Sequence, residues 1–164
     1  MSKSEQNLKD AFAGESQANR KYLAFAAQAQ KDGHPAVARL FRAAAQAETV
    51  HAHAHLRVLD GVKDTAANLR EAIGGETHEF EKMYPAMIAD AEAEGNAAAG
   101  RSFRFANAVE KIHAALYRKA LEQLGKNADT AYWVCDVCGN TVEGEAPDTC
   151  SICGAPRAAF KKVD

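Results

Sequence analysis

Leu8, Phe12, Glu15, Ala18, Tyr22 and Phe25 recur at steps of three and four residues, the spacing of one face of an α-helix. The pattern predicts a first helix over about Ser4 to Lys31. The turn Asp32-Gly33-His34-Pro35 closes it, and Pro35 suits the first turn of a second helix. That helix carries Leu40, Phe41, Val50 and Leu56 to Leu59 and stops at Asp60-Gly61. Residues 61–75 read as a connector, with a short helical patch at Ala66–Ile73 and a break at Gly74-Gly75. A third helix is expected from Glu76 to Glu94, where Pro85 must bend the axis or shift the hydrogen bonding. Gly95 ends it, and a fourth helix covers Asn96 to Leu124 with Gly125 as its stop. From Tyr132 onward the helical period gives way to short β-like pieces between Gly and Pro turns.

Short turns after helices one and three make each pair an antiparallel hairpin. The longer connector between the pairs fits a mainly α chain built as a ferritin-like four-helix bundle with one crossover. The expected division is residues 1–128 for the bundle and 129–164 for a small metal domain. A length of 164 residues has room for one bundle and a small appendage. The net charge of −2 offers no electrostatic reason to expect nucleic acid or an anionic membrane as partner. The longest apolar run, Tyr22–Ala27, is far short of a membrane span, and the N-terminus lacks the basic-then-apolar pattern of a signal peptide. A cytoplasmic protein is expected.

Two of the helices carry Glu-x-x-His: Glu48-Thr-Val-His51 and Glu110-Lys-Ile-His113. Residues three apart share a helix face, so both side chains of each motif can reach one point. One such motif is weak, because exposed Glu and His are common. Repetition changes that. Glu15 lies 33 residues before Glu48, and Glu76 lies 34 before Glu110, which reads as an internal repeat of a helix hairpin. Two single-Glu helices and two Glu-x-x-His helices match the general pattern of dimetal carboxylate bundles. Carboxylates and imidazoles in that number suit two iron or manganese ions.

The remaining candidates have blander readings. His53 faces away from His51, while His55 shares its side one turn on; both read as surface or supporting residues. His34 sits in a turn and His78 on a different face. Glu92, Glu94 and Glu122 read as solvated, and Met83 and Met87 as core filler. Spacing alone leaves Tyr22 and Tyr84 equally open as core aromatics or site residues.

All four cysteines fall in Cys135-Asp-Val-Cys138-Gly and Cys150-Ser-Ile-Cys153-Gly. A disulfide framework would spread its cysteines through the fold, whereas two close pairs form knuckles able to place four thiolates tetrahedrally. The pattern leaves zinc and iron both open, with a structural zinc ribbon as the plain alternative.

The run Gly75-Glu-Thr-His-Glu-Phe-Glu-Lys-Met-Tyr-Pro85 resembles the rubrerythrins, whose hallmark is Gly-Glu-x-x-Glu…Glu-Met-Tyr-Pro; Lys82 before Met83 is a small departure. The resemblance extends over Glu15 with Tyr22, both Glu-x-x-His motifs and the four-cysteine tail. There Tyr132, Trp133 and Phe160 resemble a rubredoxin's aromatic core, and Ser151 stands where such knuckles usually have Pro. The resemblance implies Glu15, Glu48, His51, Glu76, Glu79, Glu110 and His113 as ligands of two irons. It implies Cys135, Cys138, Cys150 and Cys153 as ligands of a third, with zinc a possible substitute. It places Tyr22 and Tyr84 close to the metals and associates the Glu79 position with movement on redox change. The activity implied is a non-haem iron peroxidase reducing hydrogen peroxide to water, with electrons relayed through the four-cysteine iron in defence against oxidative stress. No nucleotide-binding run is present, so a separate NAD(P)H-dependent reductase or a rubredoxin is expected as donor, and a homodimer as the assembly. The alternatives are a ferritin-like ferroxidase or iron-handling protein, and a zinc-ribbon interaction module on a helical scaffold.

Overall fold

The computed structural model describes residues 2–163. The chain divides after Lys63 into two compact units. In the first, Ser2 starts α1 (Lys3–Lys31) by accepting from the Glu5 backbone N–H at 3.1 Å. The turn runs through Gly33 at φ +80°, a left-handed conformation that costs glycine little. Pro35 then opens α2 (Pro35–Val58), as expected. The buried positions of this hairpin are Asn19, Ala26, Ala29, Ala38, Ala45 and Ala52. Small side chains let the backbones approach, and one polar side chain fixes their register. Asn19 Nδ2 donates to the Ala45 carbonyl at 2.7 Å and to Thr49 Oγ1 at 2.9 Å.

The second unit holds α3 (Thr65–His78), a π-helical turn (Glu79–Met83), α4 (Tyr84–Ala93), α5 (Ala97–Glu122) and the small domain. Here the structure corrects the sequence reading. The helical patch in the connector and the third helix are continuous, and Gly74-Gly75 do not break them. Asp64 caps the N-terminus by accepting from Ala67 N–H at 2.8 Å, worth about 1 kcal/mol, and packing of the helix against the facing helix Ala97–Glu122 offsets the rest of what two glycines at about 1 kcal/mol each cost. Asn96 likewise caps α5, accepting from Ala99 N–H at 3.1 Å.

Pro85 acts by shifting hydrogen bonds. Its ring would crowd the Glu81 carbonyl in a regular helix. The turn before it widens instead, and the Tyr84 N–H bonds to the Glu79 carbonyl, five residues back. This explains the unequal repeat. Glu15 lies 18 residues before Gly33, and Glu76 lies 19 before Gly95. The second copy holds one extra residue, and a π turn is how a helix absorbs one without unwinding.

The small domain is a three-stranded antiparallel sheet, ordered β2-β1-β3, of β1 (Tyr132–Cys135), β2 (Thr141–Glu143) and β3 (Phe160–Val163). Its core joins Cys135, Ala146, Cys150 and Phe160, with Trp133 packed against them. Tyr132, expected in that core, is 38% exposed and instead lines a cleft of about 350 Å³ with Leu69, His113, Tyr117 and Thr141. The expected division at 128/129 falls between α5 and β1, inside the second unit. Among the described residues no helix is long and apolar enough to cross a membrane.

Replacing Asn19 with Ala removes the polar link of the first hairpin and leaves a void among alanines. The variant is expected to lose about 1–3 kcal/mol in urea unfolding, with an unchanged denaturant slope.

Candidate metal centres

Each unit gathers its own carboxylate–histidine group. In the first, ligand atoms of Glu15, Glu48 and His51 lie within 4.8 Å of one another. His51 Nδ1 meets Glu48 Oε2 at 2.9 Å and Glu15 Oε1 at 3.9 Å. In the second, Glu76, Glu110 and His113 converge in the same way. His113 Nδ1 lies 2.8 Å from Glu110 Oε2 and 3.7 Å from Glu76 Oε1. The helical spacing is responsible in both cases: Glu and His three apart are stacked on one face, and the single Glu comes from the facing helix of the hairpin.

The two groups differ in surroundings. The His113 side chain is 27% exposed and that of His51 is 55% exposed. His113 also has a partner beyond the helices, its Nε2 lying 2.8 Å from Thr141 Oγ1 on β2. The Glu-x-x-His spacing gives no signal of this contact, because it joins residues 28 apart.

Electrostatics in the second group favours a cation. The Glu76 carboxyl is pushed up to about 7, first by burial, then by the charge of Glu110, the hydrogen bond they share and the charge of Glu79. Burial, and then Glu79, Glu110 and Glu76 in that order, also raise the Tyr84 phenol. Glu79 stands outside the convergent trio, yet its charge reaches both groups from the first position of the π turn. Carboxylates this close share a proton or hold a metal.

The tyrosines separate. The Tyr84 ring lies 6.3 Å from that of Phe103 while its phenol feels the three carboxylates. Tyr22, half-buried, packs with Phe25 at 6.3 Å and Phe41 at 6.2 Å. His53 lines a separate cleft with Phe12, Asn19 and Arg20. His34 and His78 are exposed and outside the convergent groups.

In the small domain the four cysteines are free thiols, all within 4.8 Å of one another. The Cys135–Cys153 sulfurs are 3.7 Å apart and the Cys138–Cys150 sulfurs 3.6 Å. A tetrahedron with metal–sulfur bonds of about 2.3 Å has edges of about 3.8 Å, close to these two separations, so the four thiols suit a tetrahedral metal. Gly139 at φ +82° and Gly154 at φ +76° turn each knuckle, their N–H groups bonding back to the Cys135 and Cys150 carbonyls. Desolvation opposes ionisation of Cys150. Backbone N–H groups of Cys153 and Ile152, with the Asn140 side chain, outweigh it and bring the thiol down to about 6. Burial raises the Cys138 thiol.

Comparison with known proteins agrees with this geometry. Residues 6–121 match the rubrerythrin family, and residues 133–161 match the rubrerythrin rubredoxin-like domain. The chain is 34% identical to Rubrerythrin-2 of Clostridium acetobutylicum, over 94% of this chain and 93% of that protein. It is 36% identical to nigerythrin of Nitratidesulfovibrio vulgaris, over 94% and 84%. Among solved structures, fully reduced, all-ferrous nigerythrin matches with a TM-score of 0.61 and 32% identity, over 99% of this chain and 88% of that one. The mainly α, ferritin-like class with an appended rubredoxin-like domain stands on these matches.

The Glu76 shift carries a sign for the metal-free chain. The folded state holds its proton to about 7, against an ordinary 4.5. Between those values folding takes up a proton, so stability falls as pH rises through the window and that contribution is lost above it. Thermal unfolding of metal-stripped protein from about pH 5 to about pH 6.5 is expected to show a falling midpoint, and Glu76→Gln a flatter one.

Proposed function

The chain belongs to the rubrerythrin family, and from that premise we propose that it is a non-haem iron peroxidase reducing hydrogen peroxide to water. The observation that carries the reading is one chain presenting two carboxylate–histidine groups and a tetrathiolate group at metal-binding separations. Glu15, Glu48 and His51 would hold one iron and Glu76, Glu110 and His113 another, with Glu79 as a further carboxylate. Cys135, Cys138, Cys150 and Cys153 would hold the third iron, for which zinc can substitute. When bound, paired irons supply one electron each to the O–O bond, and a tetrathiolate iron supplies electrons singly.

The chain's own residues supply the protons and the order. Reduction of peroxide to two waters takes up two protons with two electrons, so donors must stand at the carboxylate face. The raised Tyr84 phenol keeps its proton at Oη at neutral pH, beside Glu79, Glu110 and Glu76. Glu79, set on the widened turn and outside the convergent trio, is a carboxylate free to change partner. Tyr22, on α1 with Glu15, would be the corresponding phenol of the first group, its ring packed with Phe25 and Phe41. The N–H donors around Cys150 favour thiolate and hence metal binding in the small domain.

A separate NAD(P)H-dependent reductase or a rubredoxin would deliver electrons, in the cytoplasm, where four thiols stay reduced. We also propose a homodimer. Leu40 at 69%, Val50 at 56% and Phe25 at 47% exposure leave more large apolar surface on the first hairpin than water tolerates comfortably.

Metal content and visible spectra of anaerobically prepared protein, before and after stoichiometric peroxide, test this reading. About three irons per chain are expected, with the reduced tetrathiolate site recolouring as peroxide is consumed. Bundle iron that oxidises while peroxide draws no electrons from the tetrathiolate site would mark a ferroxidase, and a bundle without iron in iron-replete protein would end the enzyme reading. Tyr84→Phe, which keeps the ring and removes the proton at Oη, is expected to slow peroxide turnover about 10²-fold or more with metal content unchanged.

A further inference from the structure

We propose that Thr141, in the small domain, is a positioning residue for His113: its hydroxyl accepts the Nε2–H of the imidazole and donates to the Gly139 carbonyl, so that Nδ1 faces the carboxylates as a lone pair. The distances are 2.8 Å from His113 Nε2 to Thr141 Oγ1 and 3.2 Å from Thr141 Oγ1 to the Gly139 oxygen.

The proton count follows from the groups present. A hydroxyl has one proton, and when that proton goes to Gly139 only lone pairs remain for His113. Nε2 must then be the donor, and a neutral imidazole protonated at Nε2 is bare at Nδ1. Without a cation, Nδ1–H can donate to Glu110 at 2.8 Å instead. A cation held at Nδ1 removes that choice, and Thr141 becomes the acceptor that keeps the ring in one tautomer and one plane.

The contact is built into the docking of the small domain on α5. Lys119 pairs with Glu143 at the far end of β2. At the near end Gly139 faces Val109, where an added Cβ would lie 3.9 Å from Val109 Cγ1. Gly139 directly follows Cys138, so the two hydrogen bonds join a cysteine knuckle to a metal-facing imidazole. His51 has contacts at Nδ1 only with Glu48 and Glu15 among the described residues, which makes it an internal control.

The proposal rests on the reading that Glu76, Glu110 and His113 hold a metal, and is independent of peroxidase activity. Zn(II), which is diamagnetic, is the probe, added to the full chain carrying Thr141→Val or Thr141→Ser. The binding measured is that which follows filling of the four cysteines. Thr141→Val is expected to weaken Zn(II) binding at the His113 group about 10- to 100-fold, and Thr141→Ser to restore it. In proton–nitrogen NMR of the zinc-loaded chain, the His113 Nε2–H should exchange slowly in the wild type and in Thr141→Ser. It should be lost to solvent exchange in Thr141→Val, with the His51 ring signals unchanged. Wild-type affinity and a persisting Nε2–H in Thr141→Val would overturn the proposal while leaving the metal site standing. Equal losses in Val and Ser would overturn it in favour of packing, and no Zn(II) at His113 in the wild type would overturn the metal reading itself.

Discussion

Like charges held close together on a half-buried helix face are the constraint on which this protein turns. Glu76 shares a hydrogen bond with Glu110 and feels Glu79, and in the absence of a cation it responds by keeping a proton to about 7. Such a group is poorly placed for stability by itself. Its sense lies in the alternative compensation: a metal ion satisfies several carboxylates at once and releases the proton. The imidazoles at 51 and 113 add a nitrogen to each set of carboxylate oxygens.

That constraint explains how the backbone is arranged. A hairpin carrying one Glu on its first helix and Glu-x-x-His on its second brings three donors to one point whenever the two helices pack with the correct register. In the first copy alanines and Asn19 set the register. In the second, a single extra residue would rotate everything beyond it off the face. The π turn at Glu79–Met83 confines that rotation to five residues, and Glu79 and Tyr84 stand at its two ends. The insertion therefore moves no donor off the face: Tyr84 stands eight residues after Glu76 as Tyr22 stands seven after Glu15, and Glu79 stands where the first copy has Ala18.

The small domain shows a comparable economy of means. Two pseudo-repeated knuckles, each turned by a positive-φ glycine, bring sulfurs from opposite knuckles to nearly the edge length of a metal tetrahedron. The strand following the first knuckle lies along α5 through Glu143 and Thr141, so the thiol group and the second carboxylate–histidine group are joined through named atoms within one compact unit.

Much of this was legible in the order of residues. Helical period, turn glycines and capping residues act over four or five positions, so the hairpins and their Glu-x-x-His faces follow from local spacing. The doubled Cys-x-x-Cys is equally local, and so is the excess of carboxylates that only a cation would justify. What sequence did not show was continuity of α3 through Gly74-Gly75, because propensity weighs each glycine and not the packing against α5 that overrides them. Nor did it show that the repeat mismatch of one residue is a π turn, although Pro85 marked the place. Tyr132 at the helix cleft, and Thr141 against His113, depend on how a strand lies along a helix. Only the tertiary structure could decide them, because such contacts join residues far apart in the chain and leave no period behind.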